Sequence, residues 1–332
     1  METGDRFEGT LLGDREGLGE VVFNTGMTGY QECFTDPSYG GQILTLTYPL
    51  IGNYGTNKEF MQSRAPAASG FVLDQISLHP SNWQCGGTIA DFILEHQVPC
   101  LYRVDTRAVT RMLRTHGVMK GVIVRADRTE EEIRERLKQS LPKNQVEKVT
   151  AGKPYTFGSG SCRVSLLDCG LKKNILVSLA QSGCTVHVFP AHTSAEEMLS
   201  VNPDGIFLSP GPGDPTDGSL RDRYRERTDR EKTDFWNLSG TADAFACPGC
   251  PYIQTSLWGT EAPIILVKDL ETGRVYITSQ NQRICSLRRR PSRIHDHYTP
   301  QRQRRNPYEG FRHRTDCRSE RCSTIRKLHR DL

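Results

Sequence analysis

Ser161 to Pro210 reads SCRVSLLDCG LKKNILVSLA QSGCTVHVFP AHTSAEEMLS VNPDGIFLSP, and the alternation inside it decides the fold. SCRVSLLDCG has the apolar density of a buried strand. LKKNILVSLAQSG spaces its aliphatic residues three and four apart, as a helix does, and CTVHVFP reads as a second strand. SAEEMLSVN then predicts a second helix and GIFLSP a third strand. Strand and helix in strict alternation predict an α/β unit with a doubly wound parallel sheet. Directly after the third strand comes Ser209-Pro210-Gly211-Pro212-Gly213-Asp214-Pro215. Loops at the carboxyl edge of such a sheet hold ligands, and glycine lets backbone N–H groups approach one closely. Taken alone, the same loop reads as a plain turn.

Outward from this stretch the chain changes character on both sides. Val149 to Cys162, VTAGKPYTFGSGSC, is rich in Gly, Ser, Thr and Pro without periodicity. It marks a linker over residues 151–163, between a domain of residues 1–150 and a second of residues 164–332. In the first domain, GEVVFNT and QILTLTYPL alternate with the turn formers Asp36-Pro37-Ser38 and Gly40-Gly41, which predicts a β-rich start. Helices follow in TIADFILEHQV and DTRAVTRMLRTHG, the second capped by Asp105 or Thr106 and ended by Gly117. Beyond residue 218 the order fails. SLRDRYRERTDREKTD is charged throughout, and the chain from Arg283 is dense in arginine with no apolar face. The second domain is therefore expected to be incomplete or disordered past about residue 218.

Composition excludes several classes. No apolar run approaches the roughly 20 residues that span a bilayer, and METGDRFEGT is neither a secretory nor an amphipathic basic leader. The expectation is a cytoplasmic protein without membrane contact. Eleven cysteines lie scattered without framework spacing, which favours free thiols over disulfides. The net charge of +4 is mild, and its excess is concentrated beyond residue 283.

Several long stretches resemble one family. Gly19 to Asn57, GEVVFNTGMTGYQECFTDPSYGGQILTLTYPLIGNYGTN, is similar almost position by position to the N-terminal domain of carbamoyl-phosphate synthase small subunits. The similarity continues in Val104 to Val122. In Leu166 to Pro215, LLDCGLKKNIL and NPDGIFLSPGPGDP look like the opening of that family's class I glutamine amidotransferase domain, and Val267 to Asn281, VKDLETGRVYITSQN, returns to the pattern. The resemblance implies a subunit that hydrolyses glutamine and passes ammonia to a large subunit, which makes carbamoyl phosphate from bicarbonate with ATP and Mg²⁺ for arginine and pyrimidine synthesis. No cofactor is expected in this chain, whose glycine loop lacks the Lys-Ser/Thr of a P-loop. Gly211 and Gly213 then correspond to glutamine-contacting positions. Ser38, locally a turn residue in DPSY, becomes a glutamine contact across the domain interface. Asn281, locally a strand-end turn former, has a counterpart beside bound glutamine.

The chemistry of that family needs a thiolate to capture the amide as a thioester, a histidine to move the proton and a glutamate to orient it. The family carries these in G-I-C-L-G-H-Q and H-P-E-A-S-P-G-P, and neither motif occurs. No catalytic residue can be assigned. The chain reads Phe235-Trp236-Asn237-Leu238-Ser239-Gly240 at the place of the cysteine elbow, and closes Thr324-Ile325-Arg326-Lys327-Leu328-His329-Arg330-Asp331-Leu332. The genetic code supplies a cause. Written TTT TGG AAT CTG TCT GGG and read one base later, Phe235 to Gly240 becomes F-G-I-C-L-G. Leu257 to Leu266, as CTT TGG GGC ACC GAG GCG CCA ATC ATC CTG, becomes L-G-H-R-G-A-N-H-P two bases later, a family stretch that precedes VKDLETG. Thr324 to Leu332, as ACC ATC CGG AAG CTT CAC CGG GAC CT, becomes H-P-E-A-S-P-G-P two bases later. Each decoding rests on chosen synonymous codons, but the three fall in family order, so residues of about 219–266 and 283–332 read as out-of-frame translation.

That reading disposes of two other motifs. Cys247-Pro248-Gly249-Cys250 is half a zinc or redox site at best and lies inside the shifted stretch, so no metal is expected. The arginine runs LRRRPSR and QRQRR would ordinarily suggest phosphate binding, but here they are an accidental basic tail and no nucleic-acid partner is expected. Cys169 and Cys184 are read as core thiols, and His187 and His192 as structural or surface residues. Sequencing of the gene checks the frame reading directly: the DNA is expected to carry all three motifs at these places in a shifted frame, and a gene that lacks them sinks the idea.

Overall fold

The computed structural model describes residues 1–213 and, between residues 234 and 313, the backbone of seven short strands. The chain divides into two compact units, the first built on Met1–Gln145 and the second starting at Val146. In chain order the first unit holds β1 (Thr10–Leu12), β2 (Gly17–Asn24), α1 (Tyr30–Phe34), β3 (Gln42–Leu46), β4 (Leu50–Ile51), β5 (Gly70–Val72) and β6 (Gln75–Ile76). It continues with α2 (Ile89–Glu95), β7 (Cys100–Tyr102), α3 (Thr106–His116), β8 (Met119–Ile123) and α4 (Glu130–Lys138), and α5 (Gln145–Val149) straddles the division.

Its main sheet has six strands in the order β1-β7-β5-β3-β2-β8. β2, β3, β5 and β7 are mutually parallel, while β1 and β8 close the edges antiparallel. A parallel strand is covered on both faces, so it needs apolar side chains in succession rather than alternation. β3 obeys this: Ile43, Leu44, Thr45 and Leu46 are all buried. Leu44 and Leu46 face a cluster with Phe34, Phe71 and Ile93, and Ile43 faces Val21, Val72 and Val109 on the other side. Phe34 stacks on Phe71 with ring centroids 3.9 Å apart. The predicted helix signals act as expected. Asp105 accepts the Ala108 N–H at 2.8 Å, and Gly117, with φ of 85°, ends α3 in a backbone conformation that side chains resist.

One ion cluster ties the edge of this unit together. Glu16, with a side chain only 9% exposed, accepts from Arg128 Nε at 3.0 Å, Arg128 Nη2 at 3.1 Å, Arg136 Nη1 at 2.6 Å and the Arg125 N–H at 3.1 Å. The chain leading into β2 is thus pinned to the segment from β8 into α4. The Arg128 hydrogen bonds hold the Glu16 carboxyl down at about 2, against 4.5 for a free glutamate.

The second unit is the doubly wound one. β9 (Tyr155–Phe157), β10 (Cys162–Asp168), α6 (Lys173–Gln181), β11 (Cys184–Pro190), α7 (Ala195–Ser200) and β12 (Gly205–Leu208) precede β13 (Asp234–Asn237). They form a five-stranded sheet in the order β13-β12-β10-β11-β9, with β10 to β13 parallel. Val164, Leu166, Val186 and Val188 pack with Ile175 and Leu179 of α6. Leu167, Phe189 and Ile206 pack with Ala195 and Met198 of α7 on the opposite face. Three residues of the expected linker, Tyr155–Phe157, form the antiparallel edge strand β9 on β11. All three are exposed, and their Tyr-Thr-Phe alternation is too short, set among Gly, Ser and Pro, to stand out as a strand. The remaining strands, β14 (Tyr252–Gln254), β15 (Ile265–Lys268), β16 (Val275–Thr278), β17 (Ile284–Ser286), β18 (His295–Thr299) and β19 (Glu309–His313), pair antiparallel as β14 with β17, β15 with β16 and β18 with β19. The loss of order expected past residue 218 falls otherwise on residues outside those described. Among the described residues no helix is long and apolar enough to cross a membrane.

Two stability predictions arise. The Thr45 hydroxyl is fully buried and finds no hydrogen-bond partner among the described residues. A stranded hydroxyl costs free energy that a methyl of the same shape does not, so Thr45→Val is expected to leave stability unchanged or raise it by up to about 1 kcal/mol, read from urea unfolding. Glu16 stabilises the fold at every pH above the range in which a free glutamate titrates. That contribution is lost as pH falls from about 5 toward 2, because the unfolded chain takes up the proton first. Melting temperatures measured across this window should fall less steeply for Glu16→Gln than for the unmodified chain.

Candidate functional site

Winding reverses between β10 and β12. The chain passes from β10 to β11 on one side, then returns across β10 to place β12 on the other. At such a reversal the loops leave the carboxyl edge in opposite directions, and ligands bind between them. Two short loops meet there, residues 168–172 after β10 and 209–213 after β12.

The first loop is folded by a carboxylate. Asp168, buried at the end of β10, accepts on Oδ1 from the N–H groups of Gly170 at 2.9 Å and Leu171 at 2.8 Å, and on Oδ2 from Ala151 at 2.8 Å. Burial pushes this carboxyl up from its ordinary range, against the opposing pull of the three donors. The Thr150 hydroxyl donates to the Asp168 carbonyl oxygen and accepts the Ala191 N–H at 2.8 Å. The chain just after α5, at the start of the linker, is thereby fastened to the carboxyl edge of the sheet.

The second loop is laid across the first. Ser209 N–H donates to Leu167 O at 3.0 Å, continuing the sheet one residue past β12. Its hydroxyl accepts the Cys169 N–H at 2.8 Å and donates to Pro210 O at 2.9 Å. A Cβ on Gly211 would lie 2.3 Å from Cys169 O, and one on Gly170 would lie 3.0 Å from the Gly211 Cα. Only glycine fits at this crossing. Gly213, with φ of 96°, turns the chain in the left-handed region.

The sequence Pro210-Gly211-Pro212-Gly213 also sorts the donors. Proline has no N–H. The amides of Cys169, Gly170, Leu171 and Ser209 are all engaged, whereas those of Gly211 and Gly213 make no hydrogen bond among the described residues. Two backbone donors from one short loop suit an acceptor oxygen, such as a carboxylate, a carbonyl or an oxyanion.

Of the four residues singled out in the sequence, Gly211 and Gly213 therefore share this loop. Ser38 lies in the first unit, in a single 3-10 turn Pro37–Tyr39 whose Asp36 side chain accepts the Ser38 N–H at 2.9 Å. The turn is held to β2 through Tyr39, whose hydroxyl accepts from Asn24 Nδ2 at 3.1 Å. Asn281 lies outside the described residues, as do Cys247 and Cys250. Cys184 is a core thiol, as expected, and lies in register with Cys162. Cys169 is only half-buried, because it stands one residue beyond the end of β10 where the sheet gives way to the loop. His187 is half-buried with Nδ1 3.1 Å from Thr156 Oγ1, and His192 is exposed. Among the described residues no group of three or more His, Cys, Asp or Glu could hold a metal ion. The sequence reading missed Asp168 and Ser209. An Asp at a strand end followed by Cys-Gly, and a Ser opening a Pro-Gly run, were the signals available for them.

Comparison with known proteins agrees with this geometry. Residues 1–123 match the family described as carbamoyl-phosphate synthase small chain, CPSase domain, and residues 165–232 match glutamine amidotransferase class-I. The fold and loop are thus those of a class I amidotransferase unit joined to a small-chain N-terminal unit. The carbamoyl phosphate synthase small chain of Staphylococcus epidermidis is 41% identical over 284 residues, covering 85% of this chain and 77% of its own length. That of Clostridium perfringens is 40% identical over 284 residues, covering 85% and 80%. The pyrimidine-specific small chain of Bacillus subtilis is 41% identical over 283 residues, covering 85% and 78%. The chain belongs to the carbamoyl-phosphate synthase small-chain family.

Proposed function

We propose that the intact form of this protein is the glutamine-hydrolysing subunit of carbamoyl-phosphate synthase, and that the chain as written keeps the partner-binding role of that subunit while lacking hydrolysis. The observation that carries the reading is the pair of N–H groups on Gly211 and Gly213, unengaged among the described residues, at the reversal of the sheet in a chain of this family. In this reading they take the oxygens of glutamine, with Ser38 and Asn281 as further contacts. A cysteine would capture the amide as a thioester, histidine would return the proton to the departing ammonia, and backbone N–H groups would stabilise the oxyanion. Ammonia then passes to the large subunit, which holds the ATP and Mg²⁺ used with bicarbonate to make carbamoyl phosphate. The setting is cytoplasmic, and the product feeds arginine and pyrimidine synthesis.

The loss of the triad by frame error draws support from the sheet. β13 runs parallel to β12 with Leu208 opposite Asn237, so both strands end on the same carboxyl edge. The shifted reading of Phe235 to Gly240 would put the cysteine elbow there, beside the glycine loop. The class I match stops at residue 232, just before it. With no cysteine, histidine or glutamate motif in the written frame, a subunit that binds the large chain without making ammonia is the reading for this sequence.

A glutaminase assay with and without the large subunit separates the two roles. The written chain should release no ammonia beyond background, and repair of the frame should raise the rate by several orders of magnitude, since a covalent catalytic unit fails as a whole when one member is lost. Capture of the large subunit by the written chain is expected in the same preparation. Glutaminase activity of the written chain that thiol alkylation abolishes would overturn the account.

A further inference from the structure

The glycine loop owes its place to one hydroxyl. Ser209 is buried at 7% exposure, and its side chain is the link between the two loops at the reversal of the sheet. It accepts the Cys169 N–H at 2.8 Å and donates to Pro210 O at 2.9 Å, so one oxygen fixes both the strand end of β10 and the first peptide of the Pro-Gly run. The consequence reaches Gly211 through the backbone. Its Cα lies against the Gly170 backbone, and the space a Cβ would occupy is taken by Cys169 O. Asp168 holds the other side of the crossing rigid by engaging Gly170 and Leu171. Pro210 and Pro212 are buried and seat the run by packing, Pro212 beside Gly170. The peptide between Ser209 and Gly211 is fixed in addition by the Ser209 hydroxyl, so the orientation of the two donor N–H groups depends on that polar link as well as on packing.

We propose that Ser209 is a positioning residue for glutamine: by clamping the Cys169 amide to the Pro210 carbonyl it aims the Gly211 and Gly213 N–H groups at the substrate's oxygens. The inference rests on the reading of this loop as the glutamine site and adds the residue that orients it. Ser209 itself touches no substrate. Removing the hydroxyl takes away the link between the Cys169 amide and the Pro210 carbonyl and loosens the first peptide of the run, which weakens two donor contacts together.

Titration calorimetry of the full chain with L-glutamine tests the inference, alongside the melting temperature of each variant. Ser209→Ala should weaken glutamine binding roughly tenfold or more, the effect of losing about one well-placed hydrogen bond. Ser209→Cys keeps the volume but has a poor acceptor, so it should weaken binding similarly even where the alanine variant folds badly. Ser209→Thr, which keeps the hydroxyl, should restore most of the affinity. Binding by both the alanine and cysteine variants within twofold of the unmodified chain would overturn the proposal and leave the glutamine site standing. Equal weakening by all three variants, in step with their melting temperatures, would also overturn it, since that pattern marks packing alone. An unmodified chain that melts cooperatively and binds no glutamine would instead remove the glutamine reading of the loop, and this proposal with it.

Discussion

The backbone crossing between Gly170 and Gly211 is the constraint on which the second unit depends. Two peptide segments approach so closely that a single added carbon would meet a carbonyl oxygen at 2.3 Å. Such an approach is possible only because β10 and β12 are adjacent parallel strands that finish on one edge, and because glycine stands at both Gly170 and Gly211. Everything else at the site follows from holding the crossing. Asp168 consumes the amides on one side, the Ser209 hydroxyl joins the two sides, and the prolines remove competing donors. What remains, among the described residues, is a pair of backbone donors on one short loop. A glycine-rich loop usually suggests flexibility, yet here glycine is required by lack of space.

The first unit solves a different problem with similar means. Its parallel strands must be covered on both faces, and the apolar clusters around Leu44 and around Ile43 supply the two layers. Polar contacts then fix the loops that packing leaves free. Asp36 folds the turn that presents Ser38, Tyr39 ties that turn to Asn24, and Glu16 gathers the arginines of the segment leading into α4. Burial provides the stability in both units, and short side chains with oxygens set the geometry of the exposed turns.

The missing triad can be placed in the same frame. A sheet with β10, β12 and β13 side by side presents the strand ends on which a glycine loop and a cysteine elbow would stand next to each other. In this chain the glycine loop is complete, whereas the residues after β13 spell Leu238-Ser239-Gly240 in place of the elbow. A pseudoenzyme shaped by selection would be expected to lose a nucleophile by substitution within an otherwise recognisable motif. Whole motifs recoverable by a shift of one or two bases are what the proposed frame error would leave.

Much of this was legible in the amino-acid order. Periodicity alone marks β10, α6, β11, α7 and β12, because buried strands and amphipathic helices must place apolar groups at spacings their geometry dictates. Asp105 and Gly117 announce the ends of α3 for the same local reason. The Pro-Gly alternation marks the loop, and resemblance attaches glutamine to it. Tertiary structure alone decided the rest. β9 was hidden in a linker-like stretch because three residues, set among Gly, Ser and Pro, are too short a run to announce a strand until β11 pairs with it. Asp168 folds its own loop through neighbouring amides and gains Ala151 only from the fold, while Ser209 could not be ranked from sequence because it acts on an amide 40 positions away that the crossing of the two loops brings near. Local order is written in the spacing of side chains, but a hydrogen bond between distant loops exists only once the strands beneath them are paired.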